Sequence, residues 1–387
     1  MASVNWSSTR QILRKCRWLL PLAVVVALLS GCRTFHYYRQ AAAGEWQILA
    51  HQLPVEKLIA DPQTPARLRD RLQLVQKLRA FAASELSLPV DGHYRKFVDV
   101  HRPFVVWNVQ AAARFSLAPK SWWYPIVGRL DYRGYFAERD ARACGAALAA
   151  QGWDVYVDGV EAYSTLGWFK DPLLNTFLDH DDAELAETLF HELAHQCLFA
   201  SGDTDFNEAF ATTVGETGAR RWLHSTGETN ACEKYEAAVR RNRQFVALVL
   251  RARERLERVY GDTRDKAGNI VALPKPLPPA QVAAEKQRAF EQLRDDYRRL
   301  KAEWGGAASY DDWFARDLNN AKLNTVANYY DLVPGFERLL ALCGGDWERF
   351  YVASHQLAGW PREKRHQRLR ELAGAQVARD NAELPHR

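Results

Sequence analysis

The sequence predicts a predominantly helical α+β fold with a small sheet and a long helical hairpin. Three observations carry this reading. Apolar residues recur three and four apart over much of the chain. β-Branched and aromatic runs cluster between Lys96 and Val157. Two long amphipathic stretches flank a Pro- and Gly-rich loop, Gly261 to Pro279. The chain has 387 residues, 47% of them hydrophobic, enough for a sizeable core.

The N-terminus is expected to be a targeting segment. Arg14, Lys15 and Arg17 precede an apolar stretch, Trp18 to Leu29, that is short for a membrane span. It ends in Leu29-Ser30-Gly31-Cys32, which resembles a bacterial lipobox. That resemblance implies a signal peptide over 1–31 and lipidation of Cys32, so a membrane anchor. Arg33, rather than Asp, after the cysteine implies sorting to the outer membrane.

Residues 32–90 form an N-terminal helical region, with Leu68, Leu72, Val75 and Leu78 on one face and breaks at Pro54, Pro62 and Pro65. Strands are expected at Phe97–Val100, Phe104–Val109 and Trp153–Val157. A further apolar run covers Trp122–Gly128, and an alanine-rich helix Ala137–Ala150. Helices then follow at Ala183–Phe199, with Asp181 and Asp182 as cap candidates, and at Phe206–Leu223 after a turn at Ser201-Gly202-Asp203. The hairpin occupies 229–305. Tyr235, Val239, Phe245, Val249 and Leu256 mark one arm, and Phe290, Leu293, Tyr297 and Leu300 the other. It reads as a scaffold arm. The remainder, 306–387, is a C-terminal helical region broken at Pro334 and Pro361.

A net charge of +5 with interleaved acids and bases, and no basic arm, argues against a nucleic-acid partner. Downstream of Cys32 lie Cys144, Cys197, Cys232 and Cys343. An oxidising compartment would permit one or two disulfides among them, in a pairing the sequence does not fix.

The chemistry is carried by His191-Glu192-Leu193-Ala194-His195. Residues four apart share a helix face, so both imidazoles can reach one ion. Glu192 is rotated off that pair, toward a water on the ion. Zinc lowers the pKa of such a water to about 7, where a carboxylate can take its proton. Zinc needs a third protein ligand and an open position. Glu208 is the candidate, in Asn207-Glu208-Ala209-Phe210-Ala211, with twelve residues between it and His195. Glu208 would otherwise be the N3 residue of a capping box begun by Asp205. Glu187, one turn before His191, and Thr212, one turn after Glu208, are placed to orient ligands.

The HExxH and NExxA motifs resemble those of gluzincin zinc aminopeptidases. The chain is more closely similar to a family of predicted bacterial aminopeptidases that are exported lipoproteins. Trp123–Gly128, Tyr132–Phe136, Ala162–Phe169, Asp171-Pro172-Leu173, Asn319-Asn320-Ala321 and Val333–Phe336 carry this likeness. The resemblance implies a zincin-like metallopeptidase core over 91–228, completed by 306–387, with Zn2+ as cofactor and peptides as substrate. It implies a tyrosine that stabilises the oxyanion, for which Tyr329, Tyr330 and, as rival, Tyr163 are candidates. Tyr163 also lies where the substrate strand would pair. The GxMEN amine-binding motif is absent. Glu161, thirty residues before His191, takes the comparable place. The alternatives are an envelope endopeptidase or cell-wall peptide hydrolase, and a non-catalytic assembly lipoprotein with structural zinc. The last has no need of Glu192.

Overall fold

The structure is a computed structural model that describes residues 19–124, 128–162, 170–264, 270–272 and 277–383. Side chains are described for these except at 19–33, 35, 264, 328–329 and 375–383. The expected helical N-terminal region resolves into α1 (Leu19–Ala50), α2 (Val55–Ala60) and α3 (Ala66–Glu85). Pro54 and Pro65 stand at the N-caps of α2 and α3, so these prolines start helices as well as ending the preceding chain. Among the described residues no helix is long and apolar enough to cross a membrane.

β1 (Leu53–Pro54) pairs antiparallel with β2 (Lys96–Val98), which is shorter than the strand expected there. β3 (Val106–Ala113) starts later than expected and runs further. Its Ala111–Ala113 end is held by pairing with Trp153–Val155. The apolar run Trp122–Gly128 is divided. β4 (Trp122–Tyr124) and β5 (Gly128–Leu130) pair antiparallel, and Pro125, Ile126 and Val127 lie outside the described residues. β6 (Arg133–Tyr135), β3 and β7 (Trp153–Val160) form an antiparallel sheet in the order β6-β3-β7. It is backed by α4 (Glu138–Ala149), through Ala141 and Leu148 against Val109 and Ala111. β8 (Leu173–Leu174), fully buried, joins β2 in parallel and leads through α5 (Asn175–Leu178) toward the site.

The main core gathers around α6 (Asp182–Cys197) and α7 (Thr204–Thr226), the most extensively packed helix pair in the molecule. Leu185, Leu189, Phe190 and Leu193 of α6 meet Phe206, Phe210 and Val214 of α7 there. α8 (Thr229–Tyr260) and α9 (Pro279–Glu303) are the arms of the hairpin, and β9 (Thr263–Arg264) pairs with β10 (Ile270–Val271) between them. The hairpin does not stand off as an arm. Phe245, Val249, Leu256, Phe290 and Leu293 share a core with Leu117, Leu323 and Val326, so burial draws it onto the body.

The C-terminal chain forms α10 (Asp311–Ala315), α11 (Asn320–Tyr330), α12 (Val333–Leu342), α13 (Trp347–Ala358) and α14 (Arg362–Glu383). Asn319 caps α11 by accepting from Lys322 N at 3.0 Å. Asn320 donates to the carbonyls of Ala113 and Ser116 and accepts from the Tyr260 hydroxyl, so one buried amide ties α11 to the end of β3 and to the hairpin. Phe336 of α12 packs edge-on against Phe206 and Phe210. All four described cysteines, Cys144, Cys197, Cys232 and Cys343, are free. The disulfides that an oxidising compartment would permit are therefore not formed, and packing and polar joints hold the chain instead.

One such joint sets the acid stability. Asp203 is buried and accepts from Arg365 Nε at 2.7 Å and from His366 Nε2 at 2.9 Å. Burial pushes its pKa up, but the His366 hydrogen bond and the charges of His366, Arg362 and Arg365 outweigh that and hold it below its ordinary 3.8. A depressed folded pKa stabilises the fold fully above the unfolded value and loses that contribution as pH falls through the folded one. The unfolding free energy is therefore expected to decline as pH drops below about 4. Asp203→Asn should flatten that decline and lower stability at pH 7 by about 3–5 kcal/mol, because it leaves buried Arg365 without its partner. Urea titrations across pH 2–7 read both effects.

Candidate metal centre

The first carrier of the site is α6. The Asp181 carboxylate caps it by accepting from Glu184 N at 2.9 Å, and Asp182 and Glu184 in the first turn favour the positive end of the helix dipole. Its apolar side is committed to the core, which turns Glu187, His191 and His195, spaced four apart, toward α7. The second carrier is α7. Its N-cap is Asp203, which accepts from Phe206 N, not Asp205 as a capping box would require. Glu208 is thereby released from any capping role, and its carboxylate faces the two imidazoles.

The turn between the helices is clamped by Asn207. Its Oδ1 accepts from Ala200 N at 2.7 Å and its Nδ2 donates to Ala200 O at 2.9 Å. Both hydrogen-bonding groups of Ala200 are thus satisfied by one side chain, immediately before Glu208. Two turns deeper, Gly215 lets the helices touch. A Cβ there would lie 2.9 Å from Glu187 O and 3.1 Å from His191 Cβ. Neither Asn207 nor Gly215 was assigned a role from the sequence. The Asn preceding Glu208 in the motif was the available signal for the first, and nothing local marks the second.

The two helices bring the three expected ligands together. Nε2 of His191 lies 3.3 Å, and Nε2 of His195 3.7 Å, from Oε2 of Glu208. One donor atom from each residue lies within 4.8 Å of the others, a spacing that suits a shared ion. The rings stand edge to face with centroids 4.9 Å apart. Burial lowers the His195 pKa to about 4, which keeps the ring neutral. For Glu208, burial raises the pKa, but the adjoining His195 and His191 rings, with the His191 hydrogen bond, bring it below its ordinary value. Both are in the form a metal requires. His191 is pushed up, because its hydrogen bond to Glu208 and the charges of Glu192, Glu208 and Glu187 outweigh burial.

Glu192 is buried beside this group, and its Oε2 has no hydrogen-bond partner among the described residues. Burial, with Glu208 and Asp171 nearby, raises its pKa to about 7 despite His191. Tyr132, to which the sequence reading gave no role, follows β5 and lies near enough to Glu208 and Glu192 for their charges to act on it. Burial first, then Glu208, Tyr37 and Glu192, raise its phenol well above the ordinary value, so it stays protonated and able to donate. Gly128, at the start of β5, brings the hairpin against the turn. A Cβ on it would sit 3.0 Å from Ser201 Oγ.

Other expected residues fall elsewhere. Tyr330 lies in a cavity with Glu187 and Glu216, and its pKa is raised by burial and by those two acids rather than by Glu192 or Glu208. Glu161 pairs with His180 Nε2 at 2.8 Å on the same cavity. Glu187 accepts from the Tyr235 hydroxyl at 2.7 Å. Thr212 is buried on α7. Tyr163 and the side chains of Tyr329 and Cys32 lie outside the described residues. A second cluster, Asp203, Asp205 and His366, has comparable spacing, but Arg362 and Arg365 already pair with its carboxylates. Two guanidinium charges make it an ion-pair knot rather than a cation site.

Gly215→Ala is expected to force α6 and α7 apart, lowering stability by about 1–3 kcal/mol and weakening the binding of any divalent ion at the three donor groups. Gly374→Ala, with open space around it, should leave that binding unchanged. Denaturant melts and zinc titration of both variants compare the two.

Comparison with curated proteins and with solved structures found no match. The model of the family described as "Putative aminopeptidase" matches residues 36–369, a stretch that contains α6, α7 and every described site residue. The chain belongs to this aminopeptidase family.

Proposed function

We propose that the chain hydrolyses peptide bonds with a zinc ion held by His191, His195 and Glu208, and that it acts as an aminopeptidase. The observation that carries this reading is the convergence of two imidazole nitrogens on one Glu208 oxygen, at 3.3 and 3.7 Å. The buried Glu192 oxygen without a hydrogen bond fits a group kept for proton transfer, which a purely structural site would not need. When bound, zinc supplies Lewis acidity toward a carbonyl and makes water nucleophilic near neutral pH. Glu192 accepts the proton of the attacking water and returns it to the leaving amine. Tyr132 donates a hydrogen bond to the carbonyl oxygen as its charge develops. Asn207 and Gly215 hold the two ligand helices at the separation this requires. The sequence signature around Cys32 supports an enzyme tethered by lipid to the outer membrane, with the site on the periplasmic side.

Glu192→Gln is expected to keep one zinc per chain and to lower kcat by about 10²- to 10⁴-fold. Elemental analysis and peptide hydrolysis test this, and loss of zinc or undiminished turnover would contradict it. Tyr132→Phe should lower kcat about 100-fold with zinc content and KM unchanged. The mass of the mature envelope protein tests the anchor, since an unlipidated N-terminus would remove it.

A further inference from the structure

The part of α1 that follows Cys32 has two unlike faces. Tyr37, Gln40, Gly44 and Ile48, three or four apart, turn toward the body of the protein. The Tyr37 ring meets Tyr135 edge-on with centroids 5.4 Å apart, and the Arg133 guanidinium lies 3.9 Å from the Tyr37 centroid. Gln40 Oε1 accepts from Phe136 N at 3.0 Å. A Cβ on Gly44 would overlap the Phe136 ring, and Ile48 is buried in the main core. The other face is open to solvent. Tyr38, Arg39, Ala42, Ala43, Trp46 and Ala50 are exposed there. Trp46, at 71%, is the most exposed large apolar side chain among the described residues. No exposed residue of α1 among those described is acidic.

We propose that this outer face of α1 lies flat on an anionic lipid bilayer, with Tyr38 and Trp46 set among the headgroups and Arg39 paired with lipid phosphate. The residue types fit that partner. Tyrosine and tryptophan rings are apolar over most of their surface and hydrogen-bond at one edge, which suits the boundary between headgroups and acyl chains. A guanidinium pairs with phosphate, and a face without acids meets no repulsion from anionic lipid. Continuity along the helix points the same way. Acyl chains on Cys32 bring the bilayer to the start of this face. The flat contact is nevertheless more than the anchor. Trp46 is fourteen residues past Cys32, about 21 Å along the helix axis. An anchor alone lets α1 stand on its lipidated end, with Trp46 clear of the lipid. Lying flat brings both to the surface. Because α1 is fastened to Arg133, Tyr135 and Phe136, the bilayer then also orients the segment that carries Tyr132. This inference rests on the lipid-anchor reading for how the chain reaches the membrane, but the contact itself can be measured apart from it.

Quenching by brominated lipid tests the contact on the mature protein taken from the envelope. The protein is placed on vesicles of phosphatidylethanolamine and phosphatidylglycerol whose acyl chains carry bromine close to the headgroups. Bromine quenches tryptophan only at short range, and Trp46 is the one tryptophan of α1 past Cys32. Tryptophan emission is expected to be quenched, and Trp46→Phe should remove at least about half of that quenching. Arg39→Gln should lower the ratio of quenched to unquenched Trp46 about fivefold on these vesicles and leave it unchanged on phosphatidylcholine. Both substitutions are on the exposed face, and the wild-type measurement requires no variant. Absence of quenching, or quenching that Trp46→Phe leaves intact, overturns the proposal. If the mass of that protein still shows lipid on Cys32, the anchor reading stands. Trp46-dependent quenching by a chain whose mass shows no lipid would instead remove the anchor reading and leave this contact standing. A second copy of the chain as the occupant would appear as dimers in detergent that Trp46→Asp dissociates, with no quenching on vesicles, and that result also overturns the proposal.

Discussion

The contact between α6 and α7 at Gly215 is the constraint on which the rest depends. Three ligand atoms on two helices can meet within a few ångströms only if the helix axes come unusually close. A side chain larger than hydrogen at residue 215 would strike the backbone of Glu187 and the Cβ of His191. At the other end, Asn207 closes the intervening turn on Ala200. The pair are thus fixed at two points, one a close approach and one a double hydrogen bond. Between those points the apolar faces of both helices fill the main core. The geometry of the three donor groups is therefore a consequence of packing.

The same logic explains why segments far away in sequence bear on the site. The start of α7 is held by Asp203, and Asp203 is held by Arg365 and His366 of α14. The Arg365 guanidinium also lies over the ring of Phe206, 5.1 Å from its centroid. Phe336 fills the other side of Phe206. Asn320, through three backbone carbonyls and Tyr260, binds α11 to β3 and to the hairpin. The short motifs around Asn319 and Val333 are therefore joints rather than chemistry. They connect the C-terminal helices to the helix that carries Glu208.

Much of this was legible in the sequence. Period-four spacing placed His191 and His195 on one face, and the short turn placed Glu208 opposite them. Helix positions followed from apolar periodicity, with ends displaced by one to three residues where caps decide. Other features were not legible, for identifiable reasons. Trp122–Gly128 is uniformly apolar, and composition alone does not show that it folds into paired strands. The hairpin was read as an arm, because its apolar stripes are equally compatible with pairing only to each other. Leu117, Leu323 and Val326, remote in sequence, complete that core. Tyr132 belongs to the Tyr132–Phe136 stretch that carries the family likeness, but nothing in that stretch marks it as a neighbour of the two acids. Its relation to Glu208 and Glu192 arises from where β5 crosses the turn, a tertiary fact.

Electrostatic satisfaction separates two sets of buried acids. Asp203 is as buried as any acid in the chain, and it is ringed by Arg362, Arg365 and His366. Glu216 is matched by Arg220 and Arg243. Folding alone accounts for these, because each removes a desolvation penalty that it would otherwise impose. Glu192 and Glu187 are not matched in this way. One has a buried oxygen without a hydrogen bond, the other a phenol in place of a cation, and burial raises both toward about 7. Such groups cost stability wherever they occur. Both lie on α6, Glu187 one turn before His191 on the same face and Glu192 next to His191 but rotated off that face. That helix concentrates uncompensated carboxylates beside two imidazoles, an arrangement whose desolvation cost a cation from outside the chain would offset.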